Sequence, residues 1–238
     1  MAISDLELPA HILGFSLGSA EQLAGELAMT VANALRSAID ERGAASLLVS
    51  GGRSPIAFFQ RLAQQQLDWS RVTVSLADER WVPVSHPDSN EGLVRRYLLQ
   101  GPAAKARFLG LYQAAPSLEQ AAQRADEALG ELPQGIDVLV LGMGEDGHTA
   151  SLFPASANLG QALRSDCPQR CLPMQAPSVP RQRLSLTLPV LASARLTLLA
   201  LQGRGKLATL RQALAADDVA RMPIRAFLAE PLEIYWCP

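Results

Sequence analysis

The chain has 238 residues, 48% of them hydrophobic, which is enough apolar material for one sizeable core and favours a single α/β domain over two small ones. A net charge of −2 and a pI near 5.9 leave no basic field to recruit nucleic acid or an anionic membrane. The odd set Cys167, Cys171 and Cys237 lacks zinc-site spacing, the N-terminus does not resemble a leader, and no run reaches ~18 apolar residues, so a cytoplasmic protein with reduced thiols is expected.

Ser19, followed by Leu23, Leu27, Val31 and Leu35 at every fourth position, predicts a capped amphipathic helix from Ala20 to about Arg42, ended by Gly43. Residues 46–50 read as a buried strand, and Pro55 opens a helix carrying Phe58, Phe59 and Leu62. Residues 72–77 form the next strand, followed by a loop to about Ser89 and a helix through Leu99. A short strand is expected at 108–112, and Ser117 opens a helix to about Leu129.

Residues 136–141 are apolar and β-branched and read as another buried strand, running into a glycine-rich loop at 142–154. The stretch from Asn158 to Pro180 is proline-studded and reads as irregular. Residues 184–188 alternate like a strand, 195–201 form a buried strand, 202–206 a turn before a helix to about Ala216, and 233–236 a last strand. Strands alternating with helices imply one α/β domain over 1–238, with a mostly parallel sheet covered by helices on both faces.

Four of these strands end in turns rich in reactive side chains: Ser50-Gly51-Gly52-Arg53-Ser54, Asp78 to Pro83, 142–149, and Gly203 to Lys206. In a parallel sheet such ends share one edge, and ligands collect in the crevice beyond it. The Gly51-Gly52 turn at a helix start is a candidate anion cradle, but it lacks the Gly-Lys-Ser/Thr ending of a nucleotide-binding loop. Arg80 as a bidentate fork and Lys206 as a point charge suit a phosphate monoester, which carries about −1.5 to −2 near neutral pH.

In the third turn, His148 is the side chain suited to moving a proton near neutrality, Asp146 is a candidate to orient it, and glycines such as Gly144 allow close backbone approach. Gly142, Gly144 and Gly147 also satisfy the dinucleotide pattern G-x-G-x-x-G. Pro154 interrupts the helix that pattern needs, and no acidic residue follows at the end of a next strand, so a nicotinamide or flavin site is not expected. One histidine beside two adjacent carboxylates is poor metal-ligand geometry.

The segments Ser50-Gly-Gly-Arg-Ser-Pro55, Ala77-Asp-Glu-Arg-Trp-Val-Pro83, His86-Pro-Asp-Ser-Asn90 and Gly142-Met-Gly-Glu-Asp-Gly-His-Thr-Ala-Ser-Leu-Phe-Pro154 resemble, in that order, the 6-phosphogluconolactonase family. Arg183 before Leu-Ser-Leu-Thr-Leu-Pro189, and Gly203 to Lys206, extend the resemblance over nearly the whole chain. It implies an α/β sugar-phosphate fold shared with glucosamine-6-phosphate deaminases, and hydrolysis of 6-phosphoglucono-δ-lactone to 6-phosphogluconate without metal or organic cofactor. The implied partner is the small phosphorylated lactone, with no nucleic acid, membrane or protein partner.

By resemblance His148 takes the role of general base, while Arg80, Lys206 and the Gly51-Gly52 turn contact substrate or phosphate. Arg53, Ser54, Asp78, Asn90 and Gly144 lie in the matched motifs and join the candidate substrate contacts. Arg183 matches the family's arginine before the Leu-Ser-Leu-Thr strand, but Arg181 lies two residues away, which leaves open which of them faces the site. A δ-lactone is an activated ester, so an aimed water, a base and backbone donors for the oxyanion suffice.

Two rivals remain at this stage: a glucosamine-6-phosphate deaminase/isomerase and a non-catalytic sugar-phosphate-binding protein. Deaminases of that type carry a glutamate shortly after the Asp-Gly-His loop and an aromatic where this chain has Arg80; residues 151–154 supply no glutamate. A sensor would not need His148.

Overall fold

In a computed structural model describing residues 2–132 and 135–238, the strands are β1 (Ile12–Ser16), β2 (Ala45–Val49), β3 (Val72–Leu76), β4 (Asp78–Arg80), β5 (Arg107–Leu109), β6 (Val138–Leu141), β7 (Cys171–Gln175), β8 (Gln182–Leu186), β9 (Leu196–Gln202) and β10 (Leu232–Cys237). The helices are α1 (Ala20–Arg42), α2 (Ile56–Ala63), α3 (Asn90–Tyr97), α4 (Leu118–Ala128) and α7 (Arg204–Leu214). Single turns form α5 (Leu159–Ala162), α6 (Leu188–Leu191) and α8 (Arg225–Leu228).

Seven strands form one wholly parallel sheet in the order β1-β10-β9-β6-β2-β3-β5. β2 and β6 are buried along their entire lengths, as strands covered on both faces must be. Four neighbours in the order, β9, β6, β2 and β3, are the strands that lead into the four reactive turns. Because they run parallel, those turns emerge side by side at one edge.

Local chemistry explains the long helix. The Ser19 hydroxyl accepts the Gln22 N–H at 3.2 Å, and Gly43 ends the helix at φ 77°, a left-handed conformation that glycine adopts without strain. Leu23, Leu27, Val31 and Leu35 are essentially inaccessible, each contributing roughly 1.5–3 kcal/mol of burial. At the sheet's opposite edge, the buried Asp137 carboxylate accepts the Ser46 N–H at 2.8 Å and Arg42 Nη2 at 2.6 Å, which ties β2 to the start of β6.

A second, antiparallel sheet in the order β4-β8-β7 corrects three expectations. Asp78–Arg80 is a strand, not a turn, since its backbone pairs with Arg183–Ser185. The strand expected at 184–188 runs over 182–186 and belongs to this small sheet, because Leu188 already starts α6. The stretch read as irregular contains β7, whose Pro173 is tolerated on an edge strand where a missing N–H costs no ladder bond. β1, an edge strand with the sequence Ile-Leu-Gly-Phe-Ser, was also unforeseen; of its five residues only Ile12 is buried.

Candidate active site

A cavity of about 380 Å³ opens where β9, β6, β2 and β3 end. Gly51, Gly52 and Ser54 border it from the β2 turn, and Asp78, Arg80 and Asn90 from the β3–α3 segment. Gly144 and His148 come from the β6 loop, Arg183 from β8, and Gln202 and Lys206 from the β9–α7 turn. Arg53 is exposed and does not line it.

His148 is held from several sides. Its Nδ1 lies 2.5 Å from Asp146 Oδ1, which also accepts the His148 backbone N–H at 3.1 Å. Partial burial works to raise the Asp146 carboxyl, but the His148 N–H, charge and ring together hold it below the ordinary carboxylate range. An ionised carboxylate only accepts hydrogen bonds, so the proton belongs on Nδ1 and Nε2 is left as a proton acceptor. Gly144 is required beneath the ring: a β-carbon there would stand 2.1 Å from His148 Nδ1. The Phe153 ring packs against the imidazole with centroids 4.3 Å apart.

The cationic wall comes from the small sheet. Arg80 and Arg183 are direct partners across β4 and β8, so both side chains leave the same face. Arg183 is 6% exposed and donates from Nε to the Pro180 carbonyl at 2.7 Å; burial, and then the charge of Arg80, lower its pKa from the usual guanidinium value. Arg80 donates from Nη1 to the Asp88 carbonyl at 2.8 Å, and its buried Nε has no partner among the described residues. Arg181 is exposed and does not line the cavity, so of the two arginines Arg183 faces it. Lys206 sits in the first turn of α7.

The turns are tied to one another. Asn90 Nδ2 donates to the Asp78 carbonyl at 2.9 Å, and Ser151 Oγ donates to Asp78 Oδ2 at 2.5 Å. A β-carbon on Gly51 would fall 1.9 Å from Asn90 Oδ1, so the β2 turn reaches this network only as glycine. Gln202 Nε2 donates to the Ser54 carbonyl at 3.1 Å, joining the ends of β9 and β2.

Behind Arg80 and Asn90, Glu79 is wholly buried and accepts the N–H groups of Arg80, Asn90 and Glu91 at 2.6, 2.8 and 2.7 Å. Burial nevertheless pushes its carboxyl up to about 7. Sequence reasoning missed the roles of Glu79, Ser151 and Phe153. Alternation along β4 separates Glu79 from its neighbours, but that signal exists only once Asp78–Arg80 is known to be a strand. His11 bonds the Leu228 carbonyl and His86 Nδ1 accepts the Asp88 N–H; neither lines the cavity.

Residues 18–236 match the family described as glucosamine-6-phosphate isomerases/6-phosphogluconolactonase. The chain is 63% identical over 238 residues to a 6-phosphogluconolactonase of Pseudomonas aeruginosa, covering 100% of both, and 61% identical to one of Pseudomonas putida, covering 100% of this chain and 98% of that one. A crystal structure of a 6-phosphogluconolactonase from Shewanella baltica superposes with a TM-score of 0.93 at 41% identity, over 98% of this chain and 100% of that one. With a pocket at the crevice where that fold binds ligands and a match over nearly its full length, the chain belongs to the glucosamine-6-phosphate isomerase/6-phosphogluconolactonase family.

Proposed function

We propose that this protein hydrolyses 6-phospho-D-glucono-1,5-lactone to 6-phospho-D-gluconate, the lactone-opening step of the oxidative pentose phosphate pathway. The observation that carries the reading is an imidazole backed by a carboxylate at 2.5 Å, in a cavity also lined by two guanidinium groups that make no ion pair among the described residues. A base and an anion clamp in one pocket are what a phosphorylated ester requires. The near-identical extent of the Pseudomonas relatives supports the same substrate.

In this mechanism His148 Nε2 removes a proton from water as its oxygen attacks C1 of the lactone. Asp146 stabilises the imidazolium that forms and fixes its orientation. The carbonyl oxygen becomes an oxyanion, for which backbone N–H groups of the glycine turns are the candidate donors. Collapse breaks the bond from C1 to the ring oxygen, which takes the proton back from His148. Arg80, Arg183, Lys206 and the Gly51-Gly52 turn hold the phosphate; Ser54, Asp78, Asn90 and Gly144 shape or border the pocket.

Hydrolysis is favoured over deamination because the side chain stacked on the imidazole is Phe153, which neither gives nor takes a proton. A cytoplasmic enzyme fits the free cysteines Cys167, Cys171 and Cys237. Among the described residues no helix is long and apolar enough to cross a membrane.

The test is a pH-stat assay on freshly made 6-phosphogluconolactone, corrected for spontaneous opening, beside an ammonia-release assay on glucosamine 6-phosphate. His148→Ala should lower lactone turnover by at least about 10²-fold while phosphate-ester binding persists. Unchanged turnover would remove His148 from the mechanism, and ammonia release without lactone opening would replace the reading.

A further inference from the structure

We propose that Phe153 is a positioning residue that fixes the distance between the His148 imidazole and the Arg183 guanidinium, and so matches the enzyme to a lactone whose phosphate lies at a set span from its carbonyl. The inference rests on the lactonase reading and goes beyond it.

One aromatic ring touches both groups. Its centroid lies 4.3 Å from that of His148, with the planes inclined at 41°, and 5.7 Å from the Arg183 guanidinium carbon. Phe153 is itself 5% exposed and lines the cavity. Asp146 holds the imidazole at one ring nitrogen and Gly144 lies beneath it; Phe153 adds the one of these contacts that also reaches Arg183.

Arg183 is buried, has no carboxylate within salt-bridge distance among the described residues, and faces a second cation in Arg80. The aromatic ring within about 6 Å is a contact that favours a desolvated guanidinium. Its Nε is engaged by the Pro180 carbonyl, while its terminal N–H groups make no hydrogen bond among the described residues.

The substrate is rigid where this matters: a six-membered ring separates C1 from the carbon bearing the phosphate ester. A base and a clamp held at one separation will align water with C1 only when the phosphate is seated. If that separation drifts, both functions suffer at once, and displacements near 1 Å already cost orders of magnitude in rate.

The test compares Phe153→Leu, which keeps apolar bulk and removes the flat ring, with Phe153→Tyr, which keeps the ring. For 6-phosphogluconolactone, F153L should lose on the order of 10-fold in kcat and raise KM several-fold. For unphosphorylated δ-gluconolactone, which seats no phosphate, F153L should change both kcat and KM much less. F153Y should retain most of both. In an Arg183→Met background F153L should add no further KM penalty, since its partner is gone. If F153L melts early, F153M gives the same readouts.

F153L kinetics within twofold of the parent, or a KM penalty that persists in R183M, would overturn the inference and leave the lactonase reading standing. A parent enzyme that does not open the phosphorylated lactone would overturn both.

Discussion

Arg80 and Arg183 stand directly opposite one another on β4 and β8, two guanidinium groups on one face of a strand pair that make no ion pair among the described residues. Like charges so placed repel, and here one of them is also desolvated. The charges of Asp78, Glu79 and Asp88 counter part of that effect on Arg183, and an anion seated beside the pair would counter more of it. Saturation with 6-phosphogluconate at about 100 times Kd should therefore add roughly 2.7 kcal/mol, or about 5–10 °C in Tm for a chain of this size. Arg183→Met should lose most of that gain. Differential scanning fluorimetry with and without ligand reads it directly, and an equal gain in R183M would place the anion elsewhere.

Asp146 touches the imidazole and does not line the cavity, so its effect should fall on turnover and not on binding. Asp146→Asn should lower kcat about 10- to 10²-fold, less than the roughly 10²–10⁴ of the general base itself, with KM nearly unchanged. A KM effect larger than the kcat effect would assign Asp146 to substrate contact.

Gly144 has a sharper requirement. Its absent side chain leaves the space that His148 Nδ1 occupies, 2.1 Å from where a β-carbon would stand. Gly144→Ala should displace the imidazole and cut kcat by at least about 10-fold, while Tm falls by only a few degrees because the loop sits at the sheet edge. Full activity in G144A would mean that the ring has another productive position.

Glu79 predicts a pH dependence of stability. Burial raises its carboxyl from 4.5 to about 7 against the pull of the Glu91, Asn90 and Arg80 N–H groups. A carboxyl with a folded-state pKa above its unfolded value contributes stability that is fully present below about 4.5 and is lost as pH rises through about 7. The span corresponds to about 3 kcal/mol. Urea melts of the parent from pH 5 to pH 8 should show this downward contribution, and Glu79→Gln should flatten it. Identical slopes in the two proteins would show that Glu79 is ionised throughout.

The chain itself spelled out the elements whose signals are local. Ser19, the four-residue recurrence from Leu23 to Leu35, and Gly43 define α1 at both ends, because capping and amphipathic periodicity act within a turn or two of backbone. The apolar runs of β2, β6 and β9 were equally legible, since strands buried on both faces admit little else. With them came the site's outline, for the glycines and charges clustered after those strands fall at one edge of a parallel sheet, where ligands collect.

Only the tertiary structure decided what depends on long-range pairing. β4 is three charged or polar residues and β7 contains a proline, so neither declares itself until β8 lies between them. That pairing placed Arg80 beside Arg183, chose Arg183 over Arg181, and sent Glu79 into the core on the opposite face. It also brought Phe153 against both His148 and Arg183, and left Arg53 in solvent. Residue type fixes what a side chain can do chemically; which side chains meet is set by backbone hydrogen bonds between segments far apart in the chain, such as Arg80 and Arg183.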